Sequence, residues 1–420
     1  MWMGLLRPVF FKLSSMPEST DHLFSGLKVI DCATVIAAPV AAMMLGDFGA
    51  DVIKIEQPGE GDMLRILSEV GGTPHSGTDW FWQMDGRNKR GLTLDLKSES
   101  GQEILRKLVS ECDVFITNQP YAVRESLGLT YDDLKPLNEQ MIYASLTAYG
   151  EEGPEYDRKG FDQLAYWARS GLMDLMRAPD TRPTQGLPGM GDHPTGVAIY
   201  AGIVTALLHR ERTGEGGMVH TSLLANGLWS ASGIAQGAMA GGDMPTYREN
   251  ARTYHAMFNV YECADGRWLQ FNMVRNEEQL SLALAAMDAL HLLSDPRFQT
   301  LELMYENRGA MIDELKPVIL AKSSGEWLDI FAEYKVPVNR IALVEETPND
   351  EQVLINKMAV EPNDPDHPVP LIINHPVKIT SVPQVGPERA PGMGEHNHEI
   401  LKELGYSEAQ IAELEAHGVI

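Results

Sequence analysis

A compact strand–helix–strand unit near the start of the chain limits its fold more than any other feature. Gly26-Leu27-Lys28-Val29-Ile30-Asp31 reads as a short buried strand. Pro39 opens an Ala- and Met-rich helix over Val40–Leu45, which Gly46 and Gly49 end, and Asp51-Val52-Ile53-Lys54-Ile55-Glu56 is the next strand. Strands joined in this way lie parallel with a right-handed crossover. The alternation continues. Leu92–Leu96 reads as a strand, and the next helix carries Ile104, Leu105, Leu108 and Val109 at helical spacing. Val114–Thr117, Met141–Leu146 and Met218–Ser222 read as further strands, with a short helix from Tyr131 among them. The expectation is an α/β fold with helices covering a parallel sheet. No G-x-G-x-x-G follows the first strand, so a dinucleotide fingerprint is absent, yet such a sheet still offers a ligand site at the carboxyl ends of its strands.

Two long loops interrupt the alternation, Gly150–Lys159 and Arg177–Gly196, with a helical pattern from Phe161 to Met173 between them. Loops of this length in a compact domain are commonly functional. The second carries Gly189-Met190-Gly191-Asp192-His193-Pro194-Thr195-Gly196, directly before an apolar helical pattern over Val197–Leu208. Asp192 therefore sits at or just before a helix N-terminus. One reading is a capping or turn aspartate. The other is a nucleophilic or acid/base carboxylate on a loop whose glycines let a ligand approach. Asp162, after Gly160, poses the same choice.

Beyond an apolar helix over Leu223–Met239, Gly241-Gly242-Asp243-Met244-Pro245 reads as a boundary. Alternating strands over Phe258–Glu262 and Arg267–Phe271 flank Ala264-Asp265-Gly266, a hairpin signal, and helical patterns follow at Glu277–Met287, Arg308–Leu320 and Gly325–Tyr334. Residues 245–335 thus read as a smaller α+β domain, with 226–244 as a linker helix. The C-terminal part holds a short strand at Val377–Ile379, and Ser407 with Gln410 forms a capping box for the last helix. Residues 1–24 read as an extension outside the fold, either a poorly formed targeting segment or an upstream addition with Met16 as an alternative start.

The net charge of −25 excludes generic nucleic-acid binding and attraction to anionic membranes. An anionic substrate then needs a local basic island. Asn88-Lys89-Arg90, Lys97, Arg124, Arg158 and Lys159 are candidates for it. Cys32, Cys112 and Cys263 are dispersed in apolar runs and form no C-x-x-C, the pattern of buried reduced thiols in a cytoplasmic protein. No G-x-S-x-G, G-x-x-x-x-G-K-[ST] or H-E-x-x-H occurs, and His396 with His398 reads as a solvated helix start, so no metal site is expected.

The stretches GLKVIDCATVIAAPVAAMMLGDFGADVIKIEQPGEGDMLR, NKRGLTLDLKSESGQEIL, CDVFITNQP, LTAYGEEGP and MGDHPTG occur in this order, followed by the ending GEHNHEILKELGYSEAQIAELEAHGVI. Together they resemble one family, the family III CoA-transferases, also called CaiB/BaiF. The resemblance implies a Rossmann-like large domain built from both chain ends (25–225 and 336–420), the small domain between, and an interlocked homodimer. It implies no permanent cofactor, with coenzyme A and its acyl thioesters as substrates and carboxylic acids as partners. It makes Asp192 the nucleophile, with Gly191 and Asp162 as secondary residues. It assigns CoA contacts to Thr34, Val35 and Ile36, to Leu94, Asp95, Leu96 and Lys97, to Asn118, Gln119 and Pro120, and to Arg158, Lys159 and Phe161. Gln57 and Ser126 stand where basic residues are common in the family, which turns attention to Arg124, Lys97 and Lys159 for the phosphates. The related α-methylacyl-CoA racemases carry Gly-His-Asp where this chain has Gly160-Phe161-Asp162, and phenylalanine moves no proton. An intramolecular acyl-CoA isomerase and a non-catalytic acyl-CoA-binding protein are the remaining alternatives. Ile36, Trp80, Phe81 and Trp82 fit two readings equally, a pocket for an acid other than oxalate and larger than it, or ordinary exposed or core apolar residues.

Overall fold

In the computed structural model, residues 22–251, 255–272 and 276–420 are described. The expected extension falls almost wholly outside them. The chain forms two compact units.

The first unit runs up to Leu175, resumes over Thr184–Ala231 and takes in Gln352–Ile420. Its elements are β1 (Lys28–Asp31), α1 (Ala37–Asp47), β2 (Asp51–Glu56), α2 (Trp80–Asp85), β3 (Arg90–Thr93), α3 (Glu99–Glu111), β4 (Val114–Thr117), α4 (Tyr121–Ser126), α5 (Tyr131–Leu134) and β5 (Ile142–Thr147). A π-helical turn (Gln163–Ala168), α6 (Leu172–Leu175), α7 (Asp192–Thr213), β6 (Gly217–Ser222) and α8 (Leu223–Ser230) follow. The six strands form one sheet in the order β3-β2-β1-β4-β5-β6, and every pairing is parallel. The central strands β4 and β5 are buried along their whole length, as a sheet covered on both faces requires. β1 lies beside both β2 and β4, so the connections leave it in opposite directions, and a crevice opens at the carboxyl ends of β1 and β4.

The strand expected at Leu92–Leu96 begins two residues earlier and ends three earlier, at Arg90–Thr93, because Gly91 to Thr93 pair with Lys54 to Glu56. The single helix expected over Leu223–Met239 is broken at Ala231, where α8 ends and α9 (Ser232–Met239) begins. Ala231 also ends this stretch of the first unit.

The second unit comprises Met176–Pro183 and Ser232–Glu351. It holds α9, α10 (Met244–Asn250), the hairpin β7 (Val260–Glu262) and β8 (Trp268–Phe271), α11 (Glu277–Ala286), α12 (Leu301–Glu306), α13 (Arg308–Leu320), α14 (Ser324–Glu333) and β9 (Val338–Arg340). Its core gathers Tyr261, Leu269, Phe271, Leu284, Leu315, Trp327 and Phe331. The unit extends past the boundary expected at 335 because β9 pairs antiparallel with β8, Leu269 opposite Arg340.

The returning segment carries α15 (Glu351–Ile355), β10 (Ala359–Val360), β11 (Ile372–Ile373), α16 (Asn397–Glu403) and α17 (Glu408–Ala416). The strand expected at Val377–Ile379 is not formed. The pairing lies earlier, where Ala359 and Val360 meet Ile373 and Ile372. This segment covers the open edge at β3. His396 N–H donates to the Gly91 carbonyl at 3.0 Å, and the Thr93 N–H donates to Asn397 Oδ1 at 2.9 Å. The Ser407–Gln410 capping box opens α17 as its spacing predicts.

Candidate active site

The crevice at the carboxyl ends of the strands contains a pocket of about 200 Å³. Thr34 to Ala37 line it after β1, Asn118 to Pro120 after β4, and Leu146 to Ala148 at the end of β5. Lys159 to Phe161, Asp192 and Leu223 complete the lining. Of the residues singled out in the sequence, the structure brings together Thr34, Val35, Ile36, Asn118, Gln119, Pro120, Lys159, Phe161 and Asp192.

Two helix N-termini meet at this pocket, those of α1 and α7. They approach closely because α7 crosses α1 at Gly196. A Cβ there would lie 2.7 Å from both the Ala37 carbonyl oxygen and Val40 Cγ1. The Thr34–Ile36 loop is held from two sides. The Asn118 side chain accepts the Thr34 N–H at 2.8 Å and donates to its carbonyl at 2.7 Å. Asp62 accepts the Val35 N–H at 3.0 Å. Val35 sits at φ +65°, where a β-branched residue is strained and must be held by its surroundings. Asp62 is buried against Lys54 at 2.7 Å. Lys54 lies 4.0 Å from Asp31, which Lys89 pairs at 2.9 Å. These alternating buried charges compensate one another, as burial demands, and fix the floor of the crevice.

Asp192 is the first residue of α7, and Gly191 is its N-cap. The capping reading therefore fails: no side-chain capping bond is made there. Among the described residues the Asp192 carboxylate accepts no hydrogen bond. Burial pushes its carboxyl up to about 7, with Asp162 adding to the shift and Asp85 a lesser cause, while His193 opposes them. A helix N-terminus favours a negative charge by about 0.3–1 kcal/mol, less than one pKa unit, so burial prevails. Asp162 Oδ2 accepts the Gly191 N–H at 3.3 Å. Burial raises the Asp162 carboxyl as well, against the pull of the N–H groups of Gly191, Gln163 and Gly189.

The loop needs its glycines. A Cβ on Gly191 would lie 2.6–2.9 Å from Tyr166 carbons, and one on Gly189, at φ +76°, would lie 3.1 Å from Ile36 Cδ1. Tyr166 belongs to the π-helical turn, an irregularity frequent at functional sites.

Other expected contacts lie elsewhere. Leu94 to Lys97 follow β3, two strands from β1 on the same edge, and do not line the pocket. Arg124 is 1% exposed, with its guanidinium bonded to Glu151 at 2.9 Å and to Ser145 at 3.2 Å. It is a buried structural cation, not a free phosphate anchor. Arg158 is exposed, hydrogen-bonded to Glu155 and stacked over Tyr149. The run Asn88-Lys89-Arg90 leads into the amino end of β3, opposite the pocket. Lys89 is buried on Asp31, and Arg90 pairs with Asp51, Glu399 and Glu403. Trp80, Phe81 and Trp82 do not line the pocket either. Its apolar wall is Ile36, Leu146, Phe161 and Leu223. Asp62, Asp85 and the role of His193 escaped the sequence reading. Asp62 and His193 lie inside motifs quoted above, whereas Asp85 carries no local signal.

All three cysteines are free and buried. Among the described residues no helix is long and apolar enough to cross a membrane, and no cluster of three or more His, Cys, Asp or Glu side chains could hold a metal.

Residues 24–397 match the family model described as CoA-transferase family III. The chain belongs to that family. The (R)-2-hydroxy-4-methylpentanoate CoA-transferase of Clostridioides difficile is 33% identical to it over 390 residues, 93% of this chain and 97% of that protein. The cinnamoyl-CoA:phenyllactate CoA-transferase of Clostridium sporogenes is 31% identical over 403 residues, 95% of this chain and 97% of that protein. A CaiB/BaiF family protein from Brucella suis, known by crystal structure, superposes with a TM-score of 0.78 at 28% identity, covering 90% of this chain and 98% of that one. This family III CoA-transferase is therefore an enzyme whose substrates are CoA thioesters. The names of its relatives do not favour the racemase alternative.

Proposed function

We propose that this family III CoA-transferase moves CoA between two carboxylic acids through covalent intermediates on Asp192. The observation that carries the reading is the position of that carboxylate. It faces the switch-point pocket, accepts no hydrogen bond among the described residues, and is pushed up to about 7 by burial. A desolvated carboxylate of raised basicity is a competent nucleophile.

In this scheme an Asp192 oxygen attacks the thioester carbonyl carbon. The C–S bond breaks, giving a mixed anhydride and CoA thiolate. The thiolate attacks the Asp192 carbonyl carbon and expels the donor acid as its carboxylate, leaving an aspartyl-CoA thioester. The acceptor carboxylate attacks that thioester, forms a second anhydride and releases thiolate. The thiolate then takes the acceptor acyl group and returns Asp192 to its carboxylate. Charge developing at the carbonyl oxygens falls between the N-termini of α1 and α7.

The wall of Ile36, Leu146, Phe161 and Leu223 suits an acid with an apolar tail, in keeping with the names of the two relatives above. Phe161, in place of a histidine, supports transfer over proton exchange at the α-carbon. We further read the enzyme as a homodimer, since among the described residues α9 and α10 bury none of theirs, and as cytoplasmic, in keeping with its free buried thiols.

The test is incubation with a panel of acyl-CoAs, followed by mass analysis of the peptide carrying Asp192. The expected result is a CoA adduct on that residue and no solvent deuterium at the α-carbon of the product. An Asp192→Asn enzyme with undiminished transfer would overturn the mechanism.

A further inference from the structure

Beside Asp192 stands a second charged pair that the transfer scheme leaves unused. His193, the next residue of α7, is fixed at both ring nitrogens. Nδ1 lies 2.8 Å from the Gly189 carbonyl oxygen, and Nε2 lies 3.3 Å from Asp85 Oδ1. A carbonyl oxygen only accepts, so Nδ1 carries a proton. The Nε2 partner is a carboxylate on α2 that is 1% exposed. The other oxygen of Asp85, Oδ2, is buried without a hydrogen-bond partner among the described residues. The Lys89 ammonium lies close enough to interact electrostatically with Asp85. A buried carboxylate facing Nε2 calls for a proton there too, which makes the ring an imidazolium.

We propose that His193 is a positioning residue for CoA transfer: clamped between the Gly189 carbonyl and the Asp85 carboxylate, its imidazolium fixes the loop that delivers Asp192 and keeps the Asp192 carboxylate ionised. The proposal rests on the reading of Asp192 as nucleophile. The charged groups that face Asp192 come from three elements. Asp162 precedes the π-helical turn and Asp85 ends α2, both acidic and both raising Asp192, whereas His193 on α7 is the cation that opposes them, and Lys159 lines the same pocket. Without the imidazolium, the two acids would act on the nucleophile without that opposition. Burial works against the charge on His193, but Asp85 and the Gly189 carbonyl outweigh it and raise the ring to about 9. Asp192, raised to about 7, therefore ionises while its neighbour still holds its proton.

The experiment compares His193→Gln with the wild-type enzyme. Glutamine keeps a donor for the Gly189 carbonyl and carries no charge. The rate of CoA-adduct formation on Asp192 is followed from about pH 5.5 to 9.5. The expected result is an acid limb moved up by about one pH unit, so that the loss of rate is several-fold larger on the acid side than on the alkaline plateau. A purely structural role would lower the rate by the same factor at every pH, and that outcome overturns the proposal. Nitrogen NMR of the His193 ring in the wild-type enzyme gives an independent readout, which decides the matter if the variant does not fold. Both nitrogens are expected to be protonated near neutral pH, and Asp85→Asn is expected to lower the ring pKa. A singly protonated ring at neutral pH overturns the proposal as well. If Asp192→Asn still forms the adduct, the nucleophile reading fails. If that adduct is lost and the His193→Gln limb does not move, only the role of His193 fails.

Discussion

The Asp162 carboxylate accepts the backbone N–H of Gly191 at 3.3 Å, one residue before Asp192. The bond ties the loop to the start of the π-helical turn. It also brings a buried carboxyl within electrostatic range of Asp192, whose own carboxyl that like charge raises.

Asp162→Asn separates these two effects. Asparagine still accepts the Gly191 N–H but carries no charge. With burial and Asp85 left to raise Asp192, its carboxyl falls below about 7. The acid limb of the pH–rate profile should move down, the opposite direction to His193→Gln. A profile that stays in place would show that Asp162 acts on the loop alone.

Asp192→Asn should stabilise the enzyme in a pH-dependent way. The folded carboxyl is raised to about 7 from an ordinary value of 3.8. Between those values the folded state holds a proton that the unfolded chain has lost, so wild-type stability falls as pH rises through this window. The neutral variant is free of that penalty. Its melting temperature should match the wild type near pH 4 and exceed it increasingly up to pH 7, beyond which the gap is constant. Thermal unfolding at a series of pH values measures this, and equal melting temperatures at pH 8 would contradict the burial of the charge.

Gly191→Ala places a Cβ within 2.6–2.9 Å of the Tyr166 ring and its Cβ. Gly191 has φ −90°, so the obstacle is space, not backbone conformation. Tyr166 is pinned by its hydroxyl 2.6 Å from Ser230 Oγ and cannot swing aside freely. The expected result is a destabilisation of about 1–3 kcal/mol and a fall in transfer rate of about 100-fold, since a 1 Å misplacement at a reacting centre has that effect. Denaturant unfolding and single-turnover rates report the two separately.

The fold was legible because parallel strands buried on both faces read as short apolar runs, and five of the six sheet strands lie within two residues of their pattern. Val377–Ile379 misled because a β-branched pair beside prolines looks like a strand, and pairing is decided by a partner, which Ile372 and Ile373 have and Val377 lacks. The pocket was legible where a motif places residues directly after β1 and β4, as with Thr34 to Ile36 and Asn118 to Pro120, and in the long loops that carry Lys159, Phe161 and Asp192. The cations were the poorest guide. A lysine or arginine looks the same in sequence whether it lines a pocket, like Lys159, or pairs with an acid inside the fold, like Arg124 and Lys89. That depends on acids distant in the chain, Glu151 and Asp31, which local sequence does not reveal.

Asp62→Ala should destabilise the large unit by about 3–5 kcal/mol, the usual effect of breaking a buried pair. It strips Lys54 of its 2.7 Å partner and leaves the Val35 N–H, held in a strained conformation, without its acceptor. Burial disfavours the Asp62 charge, but Lys54 and the N–H groups of Leu64 and Val35 outweigh it and hold the carboxyl below its ordinary value. The stabilisation is therefore complete above about pH 4 and fades as pH falls through the lowered folded pKa. Asp62→Asn, which keeps an acceptor for Val35, should recover part of the transfer activity without restoring the charge pair. Equal activity in the two variants would show that the Val35 hydrogen bond does not shape the pocket.

Lys159 and Arg158 are adjacent cations with opposite expectations. Lys159 is exposed, lines the pocket and forms no ion pair among the described residues. Arg158 is bonded to Glu155. Coenzyme A brings several negative charges to a chain of net charge −25, so a free cation at the pocket should bear directly on binding. Lys159→Ala should raise KM for the acyl-CoA by about 3- to 10-fold, the scale of a charge-assisted hydrogen bond in partial solvent, with kcat nearly unchanged. The effect should shrink as salt is raised, because exposed charges are screened. Arg158→Ala should change KM by less than about twofold, as expected for an exposed pair. Steady-state kinetics at low and high salt distinguish the two. A larger KM effect at Arg158 than at Lys159 would move the phosphate contacts to the other side of the loop.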